Sequence, residues 1–129
     1  MTVSCLIRLL PAKTDDRAGW AADKLDAYGA LAGGPLMAAG FLANENKPVF
    51  KSHDRYGNRA DLVEFHPAYH QLMSTAIEHG LPSMPWTEPQ PGAQVARAAM
   101  SYLHSQAEAG TGCPLTMTFA SVPALKLQP

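Results

Sequence analysis

Residues 92–109 constrain the fold most, because after Gly92 they contain no glycine or proline and are apolar or small on almost every side. The only charged residues among them are Arg97 and Glu108. A helix of this composition is normally buried on most sides. A chain of 129 residues contains little other protein with which to surround it. One side of the predicted helix carries Val95, Ala98, Ala99, Tyr102 and Gln106, and the other carries Ala96, Met100, Leu103 and Ala107.

The composition points in the same direction. Apolar residues make up 47% of the chain and charged residues only 16%, below the usual quarter. Either some surface is covered by other protein, or the chain is an alanine-rich domain with a neutral surface. The net charge of −1 and the absence of a Lys or Arg run argue against binding of nucleic acid through its phosphates.

Two isolated cysteines, Cys5 and Cys113, fit a reducing compartment better than a disulfide framework. The apolar stretch 3–10 is interrupted by Arg8 and is far shorter than the ~20 residues that span a bilayer. It also lacks the basic region and cleavage site of a signal peptide. We therefore expect a cytoplasmic protein without a membrane partner.

Glycine and proline divide the remainder into short helices. N-cap candidates at 14–16 (TDD) begin the first helix, and Gly33 and Gly34 end it. Pro35 suits the first position of a second helix, which ends near 44–46 (NEN).

A third helix opens at His66 and Pro67 and ends at Gly80. Its apolar residues follow the i, i+3, i+4, i+7, i+8 spacing of a single stripe, which indicates one buried face. These residues are Tyr69, Leu72, Met73, Ala76 and Ile77.

Between the second and third helices the period changes. The segment 54–59 (DRYGNR) is a turn signal in which Gly57 suits a positive φ, and short extended runs flank it at 49–51 and 62–65. This predicts a small hairpin or an ordered loop. The fold class is therefore all-α, an orthogonal bundle of about five helices with one small hairpin.

The segment 81–91 contains four prolines and is predicted to be an ordered, non-helical connector. A last helix starts at Cys113 and Pro114 and is unusually apolar up to Leu127. Because nothing polar closes this end, we expect the chain to be truncated there. The alternative is a natural C-terminal helix that packs into the core.

Three short patterns suggest chemistry, and each is weak. His66 and His70 have the i, i+4 spacing of helical metal ligands, but no third ligand stands nearby, and His66 is also a capping candidate. Cys113 at a helix start could pair with His104 as a thiol nucleophile, although a structural cysteine is the commoner case. The glycine-rich segment 110–114 lacks the lysine of a phosphate-binding loop. No carboxylate pair suits general acid–base work.

Six ordered strings resemble one family. Together they look like the N-terminal region of the AidB-type adaptive-response flavoproteins, a branch of the acyl-CoA dehydrogenases linked to the DNA alkylation response. The resemblance runs from about 14 to 129, whereas residues 1–13 fit less well and read as an extension. The strings are 17–20 (RAGW), 42–48 (LANENKP), 54–59 (DRYGNR), 63–73 (VEFHPAYHQLM), 95–99 (VARAA) and 108–120 (EAGTGCPLTMTFA).

The resemblance implies a helical domain that stands before a flavin-binding β-domain and a C-terminal helical bundle. It implies FAD as the cofactor of the parent protein and acyl-CoA as its substrate. The family's flavin-loop pattern Thr-Glu-x-x-x-Gly-Ser and its catalytic glutamate are absent from this chain. No residue of the chain is therefore expected to be catalytic, and the chain alone should bind no cofactor and be inactive.

The resemblance also assigns residues to the substrate site. Tyr102, Gln106, Ala107 and Gly110 would form a wall of the acyl pocket, and a loop of Thr116, Met117 and Thr118 would approach the flavin. Helix–helix packing is the competing interpretation for these positions. No metal site is expected.

The resemblance names the partners too. The chain would contact the remaining domains of the parent flavoprotein and contribute to a homotetramer, while DNA binding would belong to the C-terminal domain. The alternative function is a stand-alone helical interaction module without catalysis. A third reading is a small thiol enzyme that uses Cys113.

Overall fold

The computed structural model describes residues 16–127, so Cys5, the stretch 3–10, the proposed extension 1–13 and the N-cap candidates at 14 and 15 lie outside the described residues. A 3-10 helix, Asp16–Ala21, leads into the first α-helix. The elements are α1 (Ala22–Ala32), α2 (Pro35–Glu45), β1 (Val49–His53), β2 (Arg59–Glu64), α3 (Pro67–Glu78), α4 (Met84–Thr87), α5 (Ala93–Ala107) and α6 (Gly112–Lys126). The predicted all-α bundle with one small hairpin is confirmed.

The predicted helix ends are confirmed where local chemistry sets them. Pro35 stands in the first turn of α2, directly after the Gly33–Gly34 break. The His66 side chain caps α3 by accepting a hydrogen bond of 3.2 Å from the backbone N–H of Ala68. Gly80 has φ +76°, a conformation that glycine adopts without the steric cost of a Cβ.

The hairpin forms as predicted, with β1 and β2 antiparallel and Phe50 paired with Val63. The Asp54 carboxylate closes the turn by accepting hydrogen bonds from the backbone N–H groups of Tyr56 and Asn58, at 2.8 and 2.9 Å. Gly57 takes φ +86°. Every strand residue is exposed, so the hairpin projects from the bundle and adds nothing to its core.

The proline-rich connector differs from its prediction. One helical turn, α4, lies within it, because Pro85 occupies a first-turn position where a missing N–H removes no hydrogen bond. Met84 is buried and anchors this turn against the bundle.

Helix α5 is central and packs against α1, α2 and α4. Its buried face consists of Ala93, Ala96, Ala99, Met100, Leu103, His104 and Ala107. The other side of α5 is not covered by the described residues, since Val95 is 44% and Tyr102 49% exposed. This agrees with the expectation that the chain contains too little protein to surround the helix. One apolar side of the helix therefore faces solvent.

A close approach joins α2 to the end of α5. Gly40 is buried, and a methyl group placed on it would overlap the carbonyl oxygen of Ala107 and lie 3.2 Å from the carbonyl carbon. Small residues at such a contact let two backbones come together. Gly40 thus fixes where the C-terminal end of α5 can lie.

Helix α6 is attached more loosely, because Leu115 is its one buried residue. An aromatic stack provides a second attachment: the rings of Phe119 and Trp86 lie 5.1 Å apart, and the Arg97 guanidinium sits 3.9 Å from the Phe119 ring centre. Apolar side chains are exposed along this helix: Met117 and Leu125 are each 68% exposed and Leu127, just beyond the helix, is 84% exposed.

Candidate functional site

A buried chain of three polar side chains links α1, α5 and the start of α6. The Tyr28 hydroxyl lies 2.8 Å from Nδ1 of His104, and Nε2 of His104 lies 2.8 Å from Oγ1 of Thr111. All three residues are at most 2% exposed. Tyr28 shares the buried face of α1 with Leu25 and Ala32, a helical spacing that aims its hydroxyl at the last turn of α5.

The hydrogen bonds among Tyr28, His104 and Thr111 suit uncharged side chains. Burial lowers the pKa of His104 below its usual value, although the negative charge of Glu108 acts in the opposite direction. Burial also raises the pKa of Tyr28 far above that of a free phenol. A neutral imidazole can donate from one nitrogen and accept at the other, so it satisfies one hydroxyl on each side.

Glu108 fixes the turn between α5 and α6. Its carboxylate accepts hydrogen bonds from the backbone N–H groups of Gly110 and Thr111, each at 2.7 Å. Burial acts to raise the pKa of Glu108, but these backbone hydrogen bonds outweigh it, and the pKa is lowered. The ionised carboxylate therefore holds the turn in one conformation.

Tyr28→Phe is expected to lower the free energy of unfolding by about 2 kcal/mol, because it leaves Nδ1 of a buried imidazole without a partner. Tyr56→Phe is the matched control, since Tyr56 is 72% exposed and its loss of a hydroxyl should change little. Urea unfolding followed by circular dichroism measures both. Equal effects for the two variants would mean that the buried hydrogen bond contributes nothing.

The predicted Cys113–His104 pair is wrong. Both imidazole nitrogens of His104 face hydroxyl groups, of Tyr28 and of Thr111. Cys113 is exposed, and its Sγ lies 3.9 Å from the sulfur of Met117. Among residues 16–127, Cys113 has no nitrogen or oxygen partner that could act as its general base.

His66 and His70, which have i, i+4 spacing, play different roles. His66 uses Nδ1 to cap α3, while His70 is exposed and stands edge-on to the Tyr69 ring at 5.5 Å. Across residues 16–127, no three His, Cys, Asp or Glu side chains form a group that could hold a metal ion. Over the same residues, no helix combines the length and hydropathy needed to cross a membrane.

The four residues assigned to the acyl-pocket wall lie in different surroundings within the described part of the chain. Tyr102 and Gln106 stand one turn apart on the exposed side of α5. Ala107 is buried, and its backbone carbonyl lies against Gly40. Gly110 lines a cavity of about 160 Å³ between the end of α2, the start of α3 and the α5–α6 turn.

That cavity is smaller than the ~300–1,000 Å³ of typical small-molecule sites. Its lining combines aromatic and polar side chains, chiefly Asn44, Phe65, His66, Tyr69, Glu108 and Thr111. A second cleft, of about 370 Å³, lies between α1, the α3–α4 turn and α5, with the Lys24–Glu88 ion pair at its edge. None of the four assigned wall residues lines this second cleft.

The predicted loop conformation of Thr116, Met117 and Thr118 is wrong, because all three belong to α6. The Thr118 hydroxyl donates a hydrogen bond of 2.9 Å to the carbonyl of Pro114 within the helix. Their approach to a flavin stays a prediction. If these three residues approach a flavin, they do so from the exposed surface of α6 and not from a loop.

The polar chain itself has no signature in the sequence. Tyr28 and His104 are 76 positions apart, and tyrosine or histidine on a helix carries no local sign of a distant partner. The carboxylate of Glu108, two and three residues before the N–H groups that it binds, is the one local signal in the segment 108–111.

Comparisons with known proteins give this geometry a context. The family model described as the adaptive response protein AidB N-terminal domain matches residues 6–129. The chain is 44% identical over 119 residues to a putative acyl-CoA dehydrogenase AidB of Escherichia coli (strain K12). The match covers 91% of this chain and 22% of the relative, so the chain spans about a fifth of that protein's length.

A solved structure described as Bd2924 apo-form has the same fold, with a TM-score of 0.83 over 98% of this chain. The two sequences are 24% identical, and the match covers 25% of the solved chain. At that identity the likeness concerns the fold alone.

Proposed function

This chain belongs to the family of adaptive response protein AidB N-terminal domains, and from that membership we propose that it works as the N-terminal domain of a larger FAD-dependent acyl-CoA dehydrogenase-like protein of the AidB type. In this role it supplies contacts within a homotetramer and part of the acyl-substrate wall. The chain alone performs no catalysis. The parent acts in the response to DNA alkylation, in the cytoplasm.

One observation carries the proposal: 91% of this chain matches only 22% of the curated relative. A domain that is a fifth of a larger protein is expected to present surface to the rest of it. The exposed side of α5, with Val95 and Tyr102, and the open apolar side of α6, with Met117 and Leu125, suit that purpose. Within the proposal, residues 14–129 are the helical domain that precedes the flavin-binding β-domain.

In this proposal, FAD is not held by this domain alone. Thr116 and Met117 lie on an open helix surface, and the Thr118 hydroxyl is engaged with Pro114. The binding of FAD and the catalytic step are therefore assigned to residues of the parent beyond this domain. This chain would contribute a neighbouring surface, from α6, and a wall for acyl-CoA, from Tyr102, Gln106, Ala107 and Gly110.

The net charge of −1 supports the proposal that this domain does not contact DNA. The alternative function, a stand-alone helical interaction module, shares the exposed apolar faces but has no flavoprotein as its partner. The two functions differ in whether the chain can complete a flavoprotein.

A chimera tests this difference. The matching stretch of the E. coli relative is replaced by this chain, and the purified chimera is assayed for bound FAD, for size, and for acyl-CoA oxidation with an artificial electron acceptor. We expect a flavin-loaded tetramer with turnover, and no turnover from the isolated chain. A chimera that assembles without FAD would favour the interaction module.

Substitutions within the chimera test the wall. Tyr102→Ala and Gln106→Ala are expected to raise KM for acyl-CoA about tenfold, with FAD content unchanged. Ser105→Ala is the control, because the Ser105 hydroxyl bonds only to the carbonyl of Ser101 among the described residues. If all three variants behave like the parent chimera, Tyr102 and Gln106 do not form the wall.

A further inference from the structure

The turn that joins α5 to α6 is held from inside the core. Thr111 stands at the N-terminal end of α6, and its hydroxyl is bound by His104, which in turn is bound by Tyr28 of α1. Since α6 buries only Leu115, this hydrogen-bonded chain is one of few attachments between the helix and the bundle.

The neutral chain satisfies every polar atom in it. The Thr111 hydroxyl donates to the Glu108 carbonyl at 3.5 Å. We therefore assign the His104 tautomer in which Nε2–H donates to Thr111 and Nδ1 accepts from the Tyr28 hydroxyl. Across the described residues, no buried side-chain nitrogen or oxygen lacks a partner. The arrangement therefore depends on a neutral imidazole whose Nδ1 can accept a hydrogen bond.

Protonation removes that acceptor. Both nitrogens of a charged imidazole are donors, so Nδ1–H would donate to the Tyr28 oxygen and the Tyr28 hydroxyl hydrogen would lose its acceptor, at a site that is 0% exposed. A buried polar group without a hydrogen bond is costly, and a buried charge is more so. The charged imidazole and its two hydroxyl partners cannot all be satisfied in the closed arrangement.

The surrounding groups do not offset this cost. On the α5 side, the Glu108 carboxylate favours a positive His104, but it is engaged with the N–H groups of Gly110 and Thr111. On the α3 side, the His79 ring stands edge-on to Tyr28 at 5.1 Å, and its Nδ1 bonds to the carbonyl of Thr75. On the α1 side, the facing titratable group is Tyr28 itself.

We propose that Tyr28, His104 and Thr111 form an acid-sensitive latch, in which protonation of His104 opens the α5–α6 turn and releases α6 from the bundle. The inference goes beyond the function proposed above and does not depend on it. It holds equally for an isolated domain and for a domain of a flavoprotein.

The direction of the pH effect follows from the histidine. Burial holds the pKa of His104 below its unfolded value of about 6.5. The unfolded or open chain therefore binds more protons than the closed one below that pH. The stabilisation by the latch is complete above about pH 6.5 and is lost as the pH falls through the lowered pKa.

Hydrogen exchange of the 129-residue chain tests the latch. Amides of α6 are expected to exchange about tenfold faster at about pH 5 than at about pH 7.5, after correction for the intrinsic pH dependence of exchange. Amides in the first turns of α3, away from the latch, should not change. The His104 ring resonance, followed by NMR, should titrate with the same midpoint as the opening of α6.

His104→Gln keeps a donor near Thr111 and cannot titrate, so its α6 exchange should not depend on pH. His79→Gln is the matched control and should keep the wild-type response. The proposal is overturned if His104→Gln responds to acid as the wild type does, or if wild-type α6 does not respond. Should His104→Gln fail to fold, a mismatch between the two wild-type midpoints would overturn the proposal by itself.

Discussion

Gly40→Ala is expected to lower the free energy of unfolding of this chain by about 3 kcal/mol. The added methyl group would overlap the carbonyl oxygen of Ala107, so α2 and α5 must move apart along their contact. On helix propensity alone the substitution would stabilise the chain by about 1 kcal/mol. The sign of the change therefore separates the packing effect from the intrinsic preference of the helix.

Gly112→Ala is the matched control. Gly112 also belongs to a helix, but a methyl group placed there would meet nothing within 4 Å. Urea unfolding of the two variants should show a loss for Gly40→Ala and a change near zero, or a small gain, for Gly112→Ala. A stabilised Gly40→Ala variant would contradict the close approach of α2 and α5.

The contact between Gly40 and Ala107 bears on the proposed substrate wall. Ala107 precedes the turn that carries Gly110, and its backbone is fixed against Gly40. The position of any substrate wall formed by Gln106 and Gly110 therefore depends on α2. The sequence of α2 does not indicate this role. In the chimera, Gly40→Ala should lower acyl-CoA turnover, because it would displace Gln106 and Gly110.

The features that the sequence predicts well are those set by neighbouring residues. Gly57 and Gly80 take positive φ because a turn and a helix end require it locally. His66 caps α3 through a bond to a residue two positions away. Periodicity locates part of the buried stripe of α3: Leu72 and Ala76 are buried, whereas Ile77, also predicted to belong to it, is 53% exposed.

The features that the sequence misses depend on distant partners. His104 reads as a possible base for the nearby Cys113, yet its partners are Tyr28, 76 positions away, and Thr111. The composition of α5 indicates burial on most sides, but which side is covered within this chain depends on where α1 and α2 pack. The helical conformation of Thr116–Thr118 agrees with the last helix that the local sequence predicts, whereas the loop there was suggested by the resemblance.

Phe119→Ala is the second substitution with a large expected effect, about 3 kcal/mol, because Phe119 joins three elements. Its ring stacks on Trp86 of α4 and lies under the Arg97 guanidinium of α5, so its loss removes an aromatic pair and a cation–π contact together. The hydrogen bond from Trp86 to the Phe119 carbonyl survives, since it uses the backbone.

The loss should fall on α6 more than on the bundle. Without the Phe119 ring, the described attachments of this helix are buried Leu115, the hydrogen bond from Trp86 to the backbone of residue 119 and the latch at Thr111. We expect hydrogen exchange to accelerate along α6 in Phe119→Ala and to stay unchanged in α3. Met117→Ala, at a side chain that is 68% exposed on the same helix, should change the free energy of unfolding by less than about 0.5 kcal/mol. If the two variants exchange alike, the aromatic stack does not hold α6, and the acid response of that helix should then be dominated by the turn alone.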